Sequence, residues 1–401
     1  MEQKLTLFPD TFLWMKKDRI LLYNAKTFDI ADFVATNGIR AQCEKLCNYD
    51  NLYSVPINDL EGLAEDLRNW VRAIAGKFGM LTTLDNPIIS LPPLLNIQND
   101  IERLRKDKDR DIRENLLDYL TTLTVYIGGN HSGNKEYYRQ IIYPVCHNEV
   151  LDVLTIASYL KEIFSSSLQT INLVVSNITD LDVISIRNLL AVYKEQITFY
   201  FSHPITDDEM LVTDKLIKEG YKIRFICEAT FYKPEADLKI ENMIANDKKS
   251  LLAYEFIVKN DKEYKYWTKV IETYKRENYQ FVPVYDNNED YFKENIFLTE
   301  SEIRESCLSR REIFAHQAIN TLYFGTLTIM PDKKIYSDVN NPALGTIRDP
   351  IYDVILQEIE KNYIWRRIRN TDKCNQCIYQ WLCPSPTQYE KAMNVECVCT
   401  Y

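Results

Sequence analysis

Five of the ten cysteines in this 401-residue chain fall in residues 374–401: Cys374, Cys377 and Cys383 in "CNQCIYQWLC", then Cys397 and Cys399 in "CVC". A C-x2-C pair lets one tight turn present two thiolates to the same metal. Cys383 and either Cys397 or Cys399 complete four sulfur ligands. Such a soft set suits one Zn²⁺ or one iron–sulfur cluster. Inert unpaired thiols and a disulfide are the plainer alternatives. A zinc ribbon repeats its C-x2-C; here the second pair is spaced C-x-C, so a simple ribbon fits poorly.

The other chemistry-bearing residues give thinner signals. Cys43-x3-Cys47, followed by Asp50, sits in a helical pattern, where buried cysteines are ordinary. His131, Lys135 and Tyr138 come after "LTVYIGG", at the end of an expected strand where parallel sheets hold ligands. Remnant loop residues without a ligand are the bland reading there. His147, His203 and His316 are isolated, and neither a Ser-His-Asp order nor a G-x-S-x-G elbow occurs.

Composition narrows the function classes. With only 10 glycines, a glycine-rich phosphate loop is not expected. A net charge of −10 disfavours a nucleic-acid partner. The dense stretch Arg103 to Arg113 alternates basic and acidic residues and reads as a solvated helix face. The N-terminal residues lack a secretory pattern, and no run approaches the roughly 18 apolar residues of a membrane span. The expectation is a cytoplasmic protein with no membrane partner, in which clustered cysteines point to metal more than to disulfides.

The elements that must position these residues can be read from periodicity. Thr11 to Met15 and Arg19 to Asn24 are rich in strand formers and predict a hairpin. Helical patterns run from Ile30 to about Cys47, then comes an extended Asn51 to Ile57. Asn58 or Asp59 is expected to cap a helix whose Leu60, Leu63, Leu67, Trp70, Val71 and Ile74 share a face, and Gly76 and Gly79 to end it. "DNPIISLPPLLN" (Asp85 to Asn96) reads as a linker, and a charged helix is expected after it from about Asp100 to Leu120.

Beyond it, strands are expected at Leu123 to Gly128, Ile171 to Ser176, Ile197 to Ser202, Lys222 to Glu228, Ala253 to Val258 and Phe281 to Tyr285. Helices near 149–164, 181–194, 207–219 and 262–276 lie between them. Repeated βα units imply a parallel sheet, and six of them suit an open, partial barrel. Thr326 to Asp338 reads as a hairpin turning at Pro331 and Asp332, and Pro350 to Arg369 as an amphipathic helix.

In this order the pieces resemble a radical S-adenosylmethionine (SAM) peptide maturase with a SPASM-type C-terminal domain. That domain's pattern includes C-x2-C-x5-C-x3-C and a later cysteine. Cys374, Cys377 and Cys383 match its first three positions, while Thr387 stands at the fourth and Ser337 about where the upstream hairpin would bring its first cysteine. The resemblance implies that one auxiliary metal set survives and the other is lost. The C-x3-C-x2-C triad that holds the radical cluster after the first strand is also missing; His131, Lys135 and Tyr138 stand there instead, and an imidazole, an amine and a phenol do not replace three thiolates.

The nearest match is the pseudo-radical-SAM family of Bacteroidales Gly-Gly leader peptide systems. It implies an α/β fold in four parts: a small winged-helix-like peptide-recognition unit (1–85), a linker and helix (86–120), a partial (β/α)6 barrel (121–305) and a SPASM-like metal-binding domain (306–401). It implies one 4Fe-4S cluster or one zinc at the cysteine tail, no radical SAM cluster and no catalytic residues. The expected function is that of a catalytically inactive partner that binds a ribosomal precursor peptide, its active radical SAM maturase, or both, during peptide natural-product maturation. The leader peptide would add as a strand beside Asn51 to Ile57 or Arg19 to Asn24. One alternative is an enzyme with a repurposed barrel mouth that binds S-adenosylmethionine or another ligand without radical chemistry; another is a stand-alone metal-binding regulator.

Overall fold

The computed structural model describes residues 3–83, 116–129, 135–202, 206–229, 240–242, 244, 252–275 and 277–400. The expected linker, most of the charged helix after it, His131 and His203 lie outside these residues.

The expected first hairpin forms. Strand β1 (Gln3–Leu7) precedes β2 (Thr11–Lys16) and β3 (Arg19–Asn24), and the latter two pair antiparallel with Trp14 opposite Leu21. Lys17 sits at φ 48° in the turn between them. Ile30–Val34, expected as the start of a helix, is instead strand β4, paired with β3. Its period-two set, Ala31 and Phe33, packs against the N-terminal core, so tertiary pairing overrides the local helical pattern. The helix begins only at Asn37, where the Thr36 side chain accepts from the Ile39 amide, and runs to Cys47.

Two short strands complete this region: β5 (Ser54–Ile57) and β6 (Gly79–Thr83) flank β1 on either side. The helix between them spans Glu65–Ile74 and buries Leu67, Trp70, Val71 and Ile74. It does not start at Asn58 or Asp59, and its N-cap, Ala64, makes no side-chain cap. The pairing of β4 has a functional consequence. Strand β3 lies between β2 and β4, so both of its edges are taken and Arg19 to Asn24 cannot accept a peptide strand. Strand β5 remains at a sheet edge.

The large sheet keeps the expected rhythm. After β7 (Thr122–Gly129) and the short β8 (His147–Val150) come β9 (Thr170–Val175), β10 (Ile197–Ser202), β11 (Lys222–Cys227), β12 (Leu252–Val258) and β13 (Tyr279–Pro283). All but β8 run parallel, each beside its predecessor in that series. The described helices between them, Val153–Ile163, Val183–Leu189, Asp207–Glu219 and Asp261–Tyr274, start at side-chain caps from Asp152, Asp182, Thr206 and Asn260.

Side chains alternate along each strand. Leu123, Val125, Leu173, Phe199, Phe225 and Phe256 join the helices in one core. Tyr126, Val174, Tyr200, Ile226 and Ile257 face the other way into a second cluster.

The C-terminal hairpin extends this same sheet. Strand β14 (Thr326–Ile329) runs parallel beside β7 and turns into β15 (Lys334–Tyr336), which pairs in turn with β16 (Gly345–Thr346). The helix expected as far as Arg369 spans Ile351–Lys361 and stops at Asn362, which is left-handed at φ 52°. No described helix is long and apolar enough to cross a membrane.

Glu358 anchors the turn that leaves this helix. Its side chain is fully buried; Oε1 accepts from the Ile364 and Trp365 amides at 2.8 Å each, and Oε2 from Ser337 Oγ at 2.5 Å. Removing the carboxylate strands three buried donors, each costing about 1–3 kcal/mol. Glu358→Ala should therefore lower the unfolding free energy by about 3 kcal/mol or more, and Glu358→Gln, which keeps one acceptor oxygen, by clearly less; urea denaturation measures both.

Candidate metal centre

The short helix Asp372–Gln376 carries Cys374, whose amide donates to the capping Thr371 Oγ1. The Cys377 amide donates back to the Cys374 carbonyl at 3.0 Å, which closes the tight C-x2-C turn. Cys383 comes next as the chain turns under Tyr379, with its amide donating to the Tyr379 carbonyl at 3.1 Å. The final "CVC" is held extended by Leu298: the Leu298 amide donates to Val398 O and the Thr400 amide to Leu298 O. An extended segment puts alternate residues on one side, so both Cys397 and Cys399 are available to the same site.

All five tail cysteines line one small cavity of about 30 Å³, together with Arg369, Lys373 and Gln380. The Sγ atoms of Cys397 and Cys399 are 3.3 Å apart. Among the described residues, no three His, Cys, Asp or Glu side chains converge closely enough to hold a single metal ion. The sulfurs are arranged around a space rather than on a point.

Hydrogen bonding and burial set the thiol acidities. A hydrogen bond with Cys397, then burial, pushes Cys374 up, and burial pushes Cys383 up to about 12. For Cys397 the bond to Cys374 pulls down, but the bond to Cys399 and burial outweigh it. Cys399 alone of the five lies below the ordinary thiol value, chiefly through its hydrogen bond with Cys397. The five thiols lie beside the Lys373 ammonium and the Arg369 guanidinium. Neither cation was singled out from the sequence, although both lie within five residues of Cys374.

The tail packs on the other end of the chain. Cys377, Cys383, Ile378, Tyr379 and Leu382 share one hydrophobic cluster with Phe12, Trp14, Leu21 and Tyr23 of β2 and β3. The Tyr379 hydroxyl, between Cys377 and Cys383, donates to Glu300 Oε1 at 2.6 Å and accepts from Arg304 at 2.7 Å and Arg19 at 3.1 Å. Arg19 in turn pairs with Asp32 of β4. Cys43 and Cys47 lie elsewhere, in the N-terminal core, and burial lifts both thiols, Cys47 to about 11.

At the C-terminal ends of the parallel strands, the segment after β7 folds back over the sheet. Gly128 and Gly129, at φ 87° and 104°, turn the chain out of β7; a Cβ on Gly128 would run into the Glu149 carbonyl. Tyr137, Tyr143 and Val145 then pack onto Tyr126, Val174, Tyr200, Ile226, Ile257 and Val284. The segment is bonded to three strand ends. Ser176 Oγ, after β9, donates to Val145 O at 2.5 Å. Beyond β11, Glu228 accepts from Tyr143 and pairs with Lys135. Past β13, Gln140 exchanges two bonds with Tyr285, and Tyr137 donates to Asp286 at 2.8 Å. Lys135 is thus engaged by Glu228, and Tyr138 sits edge-on to Tyr126 with centroids 6.4 Å apart. The tyrosine-rich run "EYYRQIIYPV" (Glu136 to Val145) is the signal that could have revealed this packing.

No family model matches the chain, and no curated protein matches it. Among solved structures it is similar to Streptococcus suis SuiB bound to precursor peptide SuiA, with 14% identity over 99% of both chains and a TM-score of 0.44. It is also similar to SuiB bound to S-adenosylmethionine, with 12% identity over 98% of both chains and a TM-score of 0.39. A third similarity is to native anSMEcpe with bound AdoMet, with 9% identity over 68% of this chain and 95% of that one, and a TM-score of 0.44. At these scores the overlap assigns neither family nor function.

The Tyr379 hydroxyl is the polar link between the cysteine tail and the β3–β4 hairpin. Tyr379→Phe keeps the ring in its cluster and removes that link, so the unfolding free energy should fall by about 1–2 kcal/mol, read by urea denaturation of the purified chain.

Proposed function

We propose that this chain is a catalytically silent, radical-SAM-like partner protein in the modification of a ribosomal precursor peptide, acting in the cytoplasm. It binds the precursor, its active maturase, or both. We read the parallel sheet as a partial barrel over 121–305, joined through 86–120 to a peptide-recognition unit over 1–85 and continued by a SPASM-like domain over 306–401. The observation that carries the reading is the strand-end packing of Tyr137 and Tyr143. Where the resemblance calls for three thiolates and an open cosubstrate site, the chain supplies its own side chains, bonded to Glu228 and Asp286. The edge of β5 is where a leader peptide would add as a strand.

The metal assignment is part of the same proposal. Cys374, Cys377, Cys383 and one of Cys397 and Cys399 would hold one 4Fe-4S cluster. Sulfurs spread around a cavity suit a cluster bound at separate corners better than a single tetrahedral zinc, and the neighbouring cations offset the charge of the thiolates. When bound, the group would act as a structural pin, and its binding free energy would be folding free energy for the tail. Because Cys377 and Cys383 share a cluster with β2 and β3, that pin also supports the N-terminal hairpin.

Anaerobic purification and then metal analysis test the site. We expect about four irons per chain, lost in Cys374→Ser and Cys383→Ser but kept in Cys307→Ser, with faster amide exchange in β2 and β3 of the two metal-free variants. One zinc per chain would overturn the cluster. Incubating the reconstituted protein with S-adenosylmethionine and dithionite tests the silence: no 5′-deoxyadenosine is expected, and its release would overturn the reading. Failure to co-purify with either a precursor peptide or a maturase would favour a stand-alone regulator.

A further inference from the structure

Beneath the packed strand ends lies a cavity of about 300 Å³, between the inner face of the sheet and the C-terminal region. Its wall on the sheet side is polar for a reason visible in the strands. Leu123 and Val125, Ile171 and Leu173, and Leu327 and Ile329 all point to the helices. The alternate positions Thr122 and Thr124 on β7, Asn172 on β9, and Thr326 and Thr328 on β14 line the cavity. These residues form a continuous patch, because Thr328, Thr124 and Asn172 are direct partners across three adjacent strands.

Thr124 and Asn172 are buried, and buried polar groups are unfavourable unless hydrogen-bonded, whereas Thr122, Thr326 and Thr328 are half-buried along the same wall. Asn172 Nδ2 donates to Thr124 Oγ1 at 3.2 Å, which leaves the Asn172 carbonyl oxygen facing outward from that pair. Among the described residues, the hydroxyls of Thr122, Thr326 and Thr328 have no protein partner.

The charges around the cavity are already matched. Asp338 pairs with Lys391, and Arg139 pairs with Glu136 at 3.0 Å while lying over the Tyr138 ring. The remaining walls include the rings of Tyr126, Tyr138 and Tyr323 and the Gln388 amide. Groups that both donate and accept on one side, aromatic rings on the other, and no unpaired charge describe a site for a compact, hydroxyl-rich and neutral molecule.

We propose that this cavity binds a small neutral polyol of monosaccharide or cyclitol size, held by the Thr124–Asn172 pair and the threonine hydroxyls beside it. The site is separate from the cysteine tail and needs neither a metal nor a precursor peptide, so its failure and that of the proposed function are distinguishable.

The test is titration calorimetry and saturation-transfer NMR on the full chain with glucose, N-acetylglucosamine and myo-inositol. At least one should bind saturably at millimolar concentration or tighter. The near-isosteric Thr124→Val and Asn172→Leu, confirmed as folded by circular dichroism, should each weaken that binding by about tenfold or more, since a lost polar contact leaves its partner unpaired. No saturable binding by any of the three, or binding unchanged in both variants, would overturn the proposal. So would tighter competition from inorganic phosphate or from a short neutral peptide, because either would assign the cavity to a different chemistry.

Discussion

A parallel sheet has two faces to cover, and the described crossover helices of this chain cover only one. That constraint organises the molecule. The helix-side residues of β7 to β13 form one continuous core with the helices, but the inner face has to be closed by other parts of the chain. At the strand ends it is closed by the segment from Lys135 to Val145, which brings tyrosines as both apolar mass and hydrogen-bond donors. Further down it is faced by the loops around Ser337 and Gln388, which leave a cavity rather than a seal. The strand-end packing and the polar cavity are two answers to the same demand.

The two chain ends solve a second problem together. The hairpin of β2 and β3 is too small to bury both of its faces. One set, Leu13, Ile20 and Leu22, enters the N-terminal core. The alternate set, Phe12, Trp14, Leu21 and Tyr23, is covered by the cysteine tail and the helix Arg310–Ala318. Period-two alternation in one hairpin therefore joins the first 25 residues to the last 30. Tyr23 reinforces the join, since its hydroxyl donates to Leu308 O at 2.9 Å and accepts from the Leu308 amide at 2.7 Å.

Much of this was legible in the amino-acid pattern. The six parallel strands were marked by short β-branched and aromatic runs at regular intervals, and the four helices between them by helical stretches, although their caps at Asp152, Asp182, Thr206 and Asn260 were not singled out. The C-x2-C turn was legible because its geometry is local. What was missed depends on partners distant in sequence. Ile30–Val34 becomes a strand only because β3 offers an edge, and β1 and β6 become strands only by flanking each other. The cations beside the sulfurs, Arg369 and Lys373, carry no spacing rule. The strand-end segment escaped notice because its tyrosines have no period, and their role appears only when Glu228 and Asp286, more than 80 residues away, are brought alongside.

The positions where the resemblance would place the second metal set are tied into a buried network of their own. Ser337 is bonded to the buried Glu358. Thr387 caps the helix Gln388–Met393, and its hydroxyl and amide both reach Glu390. Glu390 is also 2.7 Å from the buried Arg369, and Asp338 pairs with Lys391. Removing one partner from a buried ionic network costs more than exchanging the whole set, so these residues hold each other in place. Arg369 belongs to this network and also lines the cysteine cavity. The guanidinium beside the cysteines is thus held by Glu390, which also accepts from the amide and hydroxyl of Thr387, where the resemblance would place a sulfur ligand.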